Sequence, residues 1–393
     1  MATPDPLAQL SDQGVSVWVD SIARDWLEKG ELRRLRDDFS VVGVTSNPTI
    51  FQAAIGAGGF YDDQLAALAA HGLGAQAIFE RLALYDIRWA AHELRPVYEA
   101  TGGRDGYVSY EVPPDLAHDS DETTFQAARL FDLLSLPNIM IKIPATVEGL
   151  PAIRASIAAG VNVNVTLIFS IARYREVVEA YLSGLEERAA RGADLAQMAS
   201  VASFFVSRVD TLIDPILGER VEEGGPDAEL ATSRLGTAAI DNAKLAYQAW
   251  LELFAGPRWE ALAAKGARPQ RCLWASTSTK NPNYRDVMYS EELIGRDTVN
   301  TMPLSSVEAF ADHGIVRGQT ILEDLDRARR LWADLIRVGI DEEEVGEQLE
   351  QEGVDKFAAS YQAMLGTIEA KRAQASGRPG SDGTPPSSAV PDQ

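Results

Sequence analysis

"NIMIKIPATVEG", residues 138–149, reads as one strand and the turn after it. Ile139, Met140, Ile141 and Ile143 leave the run no polar face. That is the pattern of a strand covered on both sides, as in a parallel sheet. Lys142 sits in the middle of it. A buried ammonium must be paired, neutralised or able to reach water. The stretch therefore asks which fold buries such strands, and what a lysine does inside one.

Seven further runs of the same kind lie along the chain. They are "VSVWVD" (15–20), "FSVVGVTS" (39–46), "GYVSYEV" (106–112), "NVNVTLIF" (162–169), "VASFFVS" (201–207), "RCLWAS" (271–276) and "TVNTM" (298–302). Each is short, rich in Val, Ile or Phe, and bounded by turn-forming residues. The segments between them carry helical periodicity. In "SIARYREVVEAYLSGLEERAARG" (170–192), Ile171, Tyr174, Val178, Tyr181, Leu182 and Leu185 form one stripe, with Ser170 as N-cap and Gly192 as stop. Eight strands alternating with helices predict an α/β protein, a (β/α)8 barrel. The alternative is an open doubly wound sheet, but no strand is followed by a glycine-rich dinucleotide or P-loop motif. The interval from 208 to 270 is too long for one crossover and predicts extra helices between the sixth and seventh strands, including 227–254. Residues 1–374 read as one barrel domain. The Gly, Pro and Ser-rich 375–393 reads as a disordered tail.

Composition narrows the function. The 393-residue chain has a net charge of −22 and repels a phosphate-rich polymer, so nucleic acid is not an expected partner. A small anion remains acceptable where a few cations line a pocket. No apolar run is long enough to span a membrane, and the N-terminus has no signal-peptide pattern. The single cysteine, Cys272, allows no internal disulfide, and a cytoplasmic location is expected. The four histidines are far apart and show no metal-ligand spacing. Nothing in the sequence sets the oligomeric state.

In a barrel, functional side chains project from the C-terminal ends of strands. Those ends carry Asp20; Thr45, Ser46 and Asn47; Glu111; Lys142; Asn164 and Thr166; Ser203 and Arg208; and Ser276. Each has a plain alternative. Asp20 can cap the next helix, "TSNPT" can be turn chemistry, Glu111 can face solvent, and Asn164 with Thr166 can be a half-exposed strand face. Lys142 can snorkel to water, and Arg208 can pair with Asp210. One chemistry uses them all. An amine held among apolar side chains sheds its proton more readily than one in water. Once neutral it attacks a ketone and forms a Schiff base, which needs no metal or other cofactor. Carboxylates must then move protons at the substrate hydroxyl and the carbinolamine. Asp20 and Glu111 supply them, with Asn47, Asn164 and Ser203 to hold sugar hydroxyls.

These residues also carry a family likeness. "GVTSNPTIF" (43–51), "IKIPATVEG" (141–149), "NVTLIFS" (164–170), "SFFVSRVD" (203–210) and "NTMP" (300–303) fall in strand order, and the chain resembles the transaldolases in their longer bacterial form. The resemblance implies roles. Lys142 would be the Schiff-base nucleophile and Asp20 the acid/base at the C4 hydroxyl. Glu111 with Thr166 would position the catalytic water. Thr45, Ser46, Asn47, Asn164 and Ser203 would belong to the substrate-binding set, and Arg208 would hold phosphate. The implied substrates are sugar phosphates. One departure stands out. Where the short-form family has an arginine after the serine of the seventh-strand motif, this chain has "ASTSTK", with Ser276, Ser278 and Lys280. Lys280 is expected to replace that arginine as a flexible point charge; the plain alternative is a solvated loop lysine. The nearest rival, a fructose-6-phosphate aldolase, carries a tyrosine at the position of Phe205 and lacks the glutamate matching Glu111.

Overall fold

A computed structural model describes residues 5–376. Eight parallel strands close into a barrel in sequential order: β1 Val15–Val19, β2 Val41–Thr45, β3 Tyr107–Glu111, β4 Ile139–Pro144, β5 Val163–Ile168, β6 Ser200–Phe205, β7 Arg271–Ala275 and β8 Thr298–Met302. Every strand read from the sequence is present, within two residues at each end. The barrel, not the open sheet, is the fold.

The register aligns the functional positions. Glu111 pairs with Lys142, Lys142 with Asn164, and Pro144 with Thr166. Strand residues alternate between the two faces, so a row of in-register polar positions becomes one ring inside the barrel. Below that ring the interior is filled. Gly43 is required there, because a Cβ on it would stand 2.4 Å from the Trp18 indole. At the N-terminal end Arg271 closes the barrel, pairing with Asp105 at 3.0 Å and donating to Ser16 Oγ at 2.7 Å.

The stripe expected over 170–192 is the helix Ile171–Ala190; Ser170 accepts from Arg173 N and Gly192 takes the left-handed conformation. Four helices lie between β6 and β7, as the long interval required. The stretch 227–254 is two helices rather than one, Ala228–Arg234 and Ala238–Leu253. The break falls at Gly236, whose positive φ of 65° no helix continues through. The tail expected from 375 lies, from 377 onward, outside the described residues.

The feature the sequence did not announce is the 35-residue helix Glu342–Ser376. It crosses the C-terminal mouth of the barrel from β5 towards β2. Gly346 packs against Ser170, and Gly353 against Leu167. Further along, Ser360 Oγ hydrogen-bonds Thr49 Oγ1 at 2.8 Å, the Tyr361 ring meets Phe79, and Lys371 pairs with Asp62 at 2.6 Å.

Candidate active site

Lys142 is 4% exposed and Glu111 8%, so neither the snorkelling lysine nor the solvent-facing glutamate describes this chain. The Lys142 Nζ lies 3.4 Å from Glu111 Oε2 and donates to the Ser46 carbonyl at 3.3 Å. Phe357, from the C-terminal helix, covers it with its ring centroid 5.6 Å from Nζ. The amine is thus held in a dry place, between a carboxylate and an aromatic face.

Asp20 ends β1 on the same ring. It does not cap a helix: the next one, Arg24–Lys29, starts at Ala23 without a side-chain cap. Its carboxylate instead accepts from Thr45 Oγ1 at 2.6 Å, and Thr45 Oγ1 also bonds Thr301 Oγ1. Burial raises the pKa of Asp20 against the opposing pull of Lys142. Burial likewise pushes Glu111 up to about 7, with Lys142 lowering it and Asp20 adding to the rise. Glu111 can therefore carry a proton near neutrality, and Asp20 holds its proton more tightly than a free aspartate, both beside an amine. That is what acid–base catalysis around a nucleophile requires.

Thr166 Oγ1 is buried at this ring without a hydrogen-bond partner among the described residues, and Glu111 Oε2 has only the ion pair with Lys142, without hydrogen-bond geometry. A buried polar atom left unpaired costs free energy unless water or a ligand meets it. Both sit where the pairing of β3, β4 and β5 puts them, next to the lysine. A cleft beside Glu111 is lined by Asn47, Tyr110, Arg129 and Tyr361, on the helix side of the strand.

The hydroxyl-binding set is preorganised by its own bonds. Ser203 donates to Asn164 Oδ1 at 2.7 Å, and Asn164 Nδ2 donates to Ser109 Oγ at 3.0 Å. Asn47 caps the helix Pro48–Gly56, its Oδ1 accepting from Ile50 N at 3.0 Å, which leaves its amide N–H groups for a ligand. Two members of the expected binding set have other work. The Thr45 hydroxyl orients Asp20, and the Ser46 hydroxyl is fully buried and donates to the Ser109 carbonyl at 2.8 Å. Both groups are thus fixed in place by neighbours in the fold, as Asn164 and Ser203 are.

At the far side of the mouth, Arg208 has no ion pair among the described residues. Asp210 is not its partner, since Asp210 accepts from Ala239 N and Tyr289 Oη. The guanidinium lies 5.1 Å from the Phe205 ring centroid, and burial lowers its pKa against the opposing charge of Glu352. Ser276, held at a φ of 55°, bonds Ser207 at 2.9 Å beside it. Lys280 donates to Ser278 Oγ at 2.6 Å; burial lowers its pKa, and the charges of Lys356 and Arg208 add to this. Two cations outside any ion pair among the described residues, one of them Lys280 with further positive charge around it, suit an anion.

Sequence reasoning missed Ser109, Thr301 and Phe357. The first two had a signal: each follows the inward alternation of its strand. Phe357 had none, because nothing local says what its helix covers.

Comparison with known proteins agrees with the geometry. Residues 17–368 match the family model described as Transaldolase/Fructose-6-phosphate aldolase. A transaldolase of Acidothermus cellulolyticus is 50% identical over 93% of this chain and 96% of its own length. A transaldolase of Thermobifida fusca is 51% identical over 92% and 97%. Transaldolase 1 of Streptomyces coelicolor is 52% identical over 93% and 95%. The chain belongs to the transaldolase/fructose-6-phosphate aldolase family. Among the described residues no helix is long and apolar enough to cross a membrane.

Proposed function

We infer that this chain is a transaldolase. It transfers a dihydroxyacetone unit from sedoheptulose 7-phosphate to glyceraldehyde 3-phosphate, releasing erythrose 4-phosphate and forming fructose 6-phosphate. The observation that carries the residue assignments is the buried amine of Lys142, 3.4 Å from Glu111 and on one ring with Asp20.

The chemistry follows from that arrangement. Lys142 adds to the C2 ketone of the donor, and loss of water gives the iminium. Glu111 and Thr166 hold the water that leaves and later returns; the Thr166 hydroxyl, buried without a partner among the described residues, supports this. Asp20 takes the C4 hydroxyl proton, and the C3–C4 bond breaks with its electron pair passing into the iminium. The resulting enamine stays attached to Lys142 while the first aldehyde leaves. The acceptor aldehyde then takes its place, the new C–C bond forms, and hydrolysis frees the product. Asn47, Asn164 and Ser203 hold the hydroxyls of the three-carbon unit, while Arg208, Ser276 and Lys280 hold phosphate. Phe205 at the mouth, with Glu111 present, favours transfer over release of free dihydroxyacetone. The reading places the enzyme in the cytoplasm, in carbohydrate metabolism.

Borohydride reduction in the presence of fructose 6-phosphate tests the assignment. A three-carbon adduct is expected on the peptide carrying Lys142, and none in Lys142→Ala. An adduct on any other lysine refutes it. Rapid dihydroxyacetone release without an acceptor aldehyde would make the chain an aldolase instead.

A further inference from the structure

The C-terminal helix presents one face to the barrel mouth. Gly353, Phe357 and Ser360 are buried on that face, and Lys356 lies beside Phe357. Positions three, four and seven apart share one side of a helix. The two ends of this face meet different parts of the site. A Cβ at Gly353 would stand 3.3 Å from Arg208 Nη1, whereas the Phe357 ring lies 5.6 Å from Lys142 Nζ. At the rise of an α-helix these anchor points are about 6 Å apart, the reach of a sugar chain a few bonds long. The same face therefore touches both the lysine end and the Arg208 end of the site.

Arg208 lies against Gly353, and Lys356 stands exposed three residues further along the same helix, so cations from three segments face this end. Arg208 follows β6, Lys280 follows β7, and Lys356 belongs to the crossing helix. Lys280 and Lys356 are close enough for the charge of one to act on the other. No ion pair of Arg208, Lys280 or Lys356 occurs among the described residues, in a chain of net charge −22 whose arginines are mostly matched to carboxylates. Lys280 is a point charge without the fork of an arginine. A lysine brought in by the helix adds a third positive charge for a dianion beside Arg208 and Lys280.

We propose that Lys356 is that lysine: a phosphate-binding residue carried in by the C-terminal helix, which makes the enzyme selective for phosphorylated sugars. This rests on the transaldolase reading. Because Lys356 adjoins Phe357, a phosphate that engages Lys356 also holds the aromatic cover over the amine.

Steady-state kinetics of Lys356→Gln with fructose 6-phosphate and with unphosphorylated fructose as donors test this. Loss of one charged hydrogen bond predicts a fall of roughly tenfold to a hundredfold in kcat/KM for fructose 6-phosphate. The value for fructose is expected to stay within about twofold of the parent if the contact is to phosphate alone. Inorganic phosphate should inhibit the variant about tenfold more weakly, and Lys356→Arg should restore both. Equal losses on the two donors would show a merely structural role and overturn the proposal, as would an unchanged preference for phosphate. Borohydride trapping at Lys142 should persist in the variant; its failure in the parent enzyme would instead refute the transaldolase reading.

Discussion

Replacing Glu111 by Gln keeps the shape of the side chain and removes one ionisable group from the dry centre of the barrel. Glu111 is 8% exposed, so solvent screens it little, and its pKa rises from 4.5 to about 7 chiefly through burial. At about 1.4 kcal/mol per pH unit this amounts to about 3 kcal/mol between the protonated and ionised forms. The native state holds its proton more tightly than the unfolded chain does. Stability from this group is therefore fully present below about pH 4.5 and is lost as pH rises through about 7. An amide in its place cannot titrate. Relative to the parent, Glu111→Gln should gain about 3 kcal/mol in unfolding free energy between about pH 4.5 and about pH 8.5, measured by urea titration at several pH values. The same variant should lose roughly 100-fold or more in kcat, the contribution of a positioned acid–base group. A difference in stability that is flat across pH would refute the account, because it would mean that Glu111 titrates alike in the folded and unfolded chains.

Asp20→Asn should lower kcat by roughly 100- to 10,000-fold by removing the acid–base group at the C4 hydroxyl, while the Lys142 adduct still traps. Loss of trapping would place Asp20 in Schiff-base formation instead. Gly43→Ala drives a methyl group into the Trp18 ring at 2.4 Å. Overpacking of that kind should cost about 1–3 kcal/mol, read as a lower urea midpoint. An unchanged midpoint would show that the indole can move aside.

The barrel was readable because its signal is local. "NIMIKIP" is apolar on both faces, and a strand covered on both faces belongs to a parallel sheet with helices outside it. Seven more such runs, alternating with helical stripes, leave few architectures open. The central catalytic candidates were readable for a related reason. Lys142 and Glu111 are costly to bury, and the cost shows against an apolar background without any coordinates. The seventh-strand departure, with Lys280 where the family pattern has arginine, was legible too.

What the chain could not reveal alone are relations between distant segments. Whether Thr45 and Ser46 touch substrate depends on where Asp20 and the Ser109 carbonyl lie, and these come from other strands. Arg208 is free of Asp210 because Tyr289 and Ala239 N, 79 and 29 residues further on, occupy that carboxylate. The helix Glu342–Ser376 was not announced by the sequence at all. Only closure of the barrel sets it over the mouth, with Phe357 above Lys142. Side-chain periodicity is local and survives in the sequence. The partner across a fold is a matter of three-dimensional proximity, and only the tertiary structure decides it.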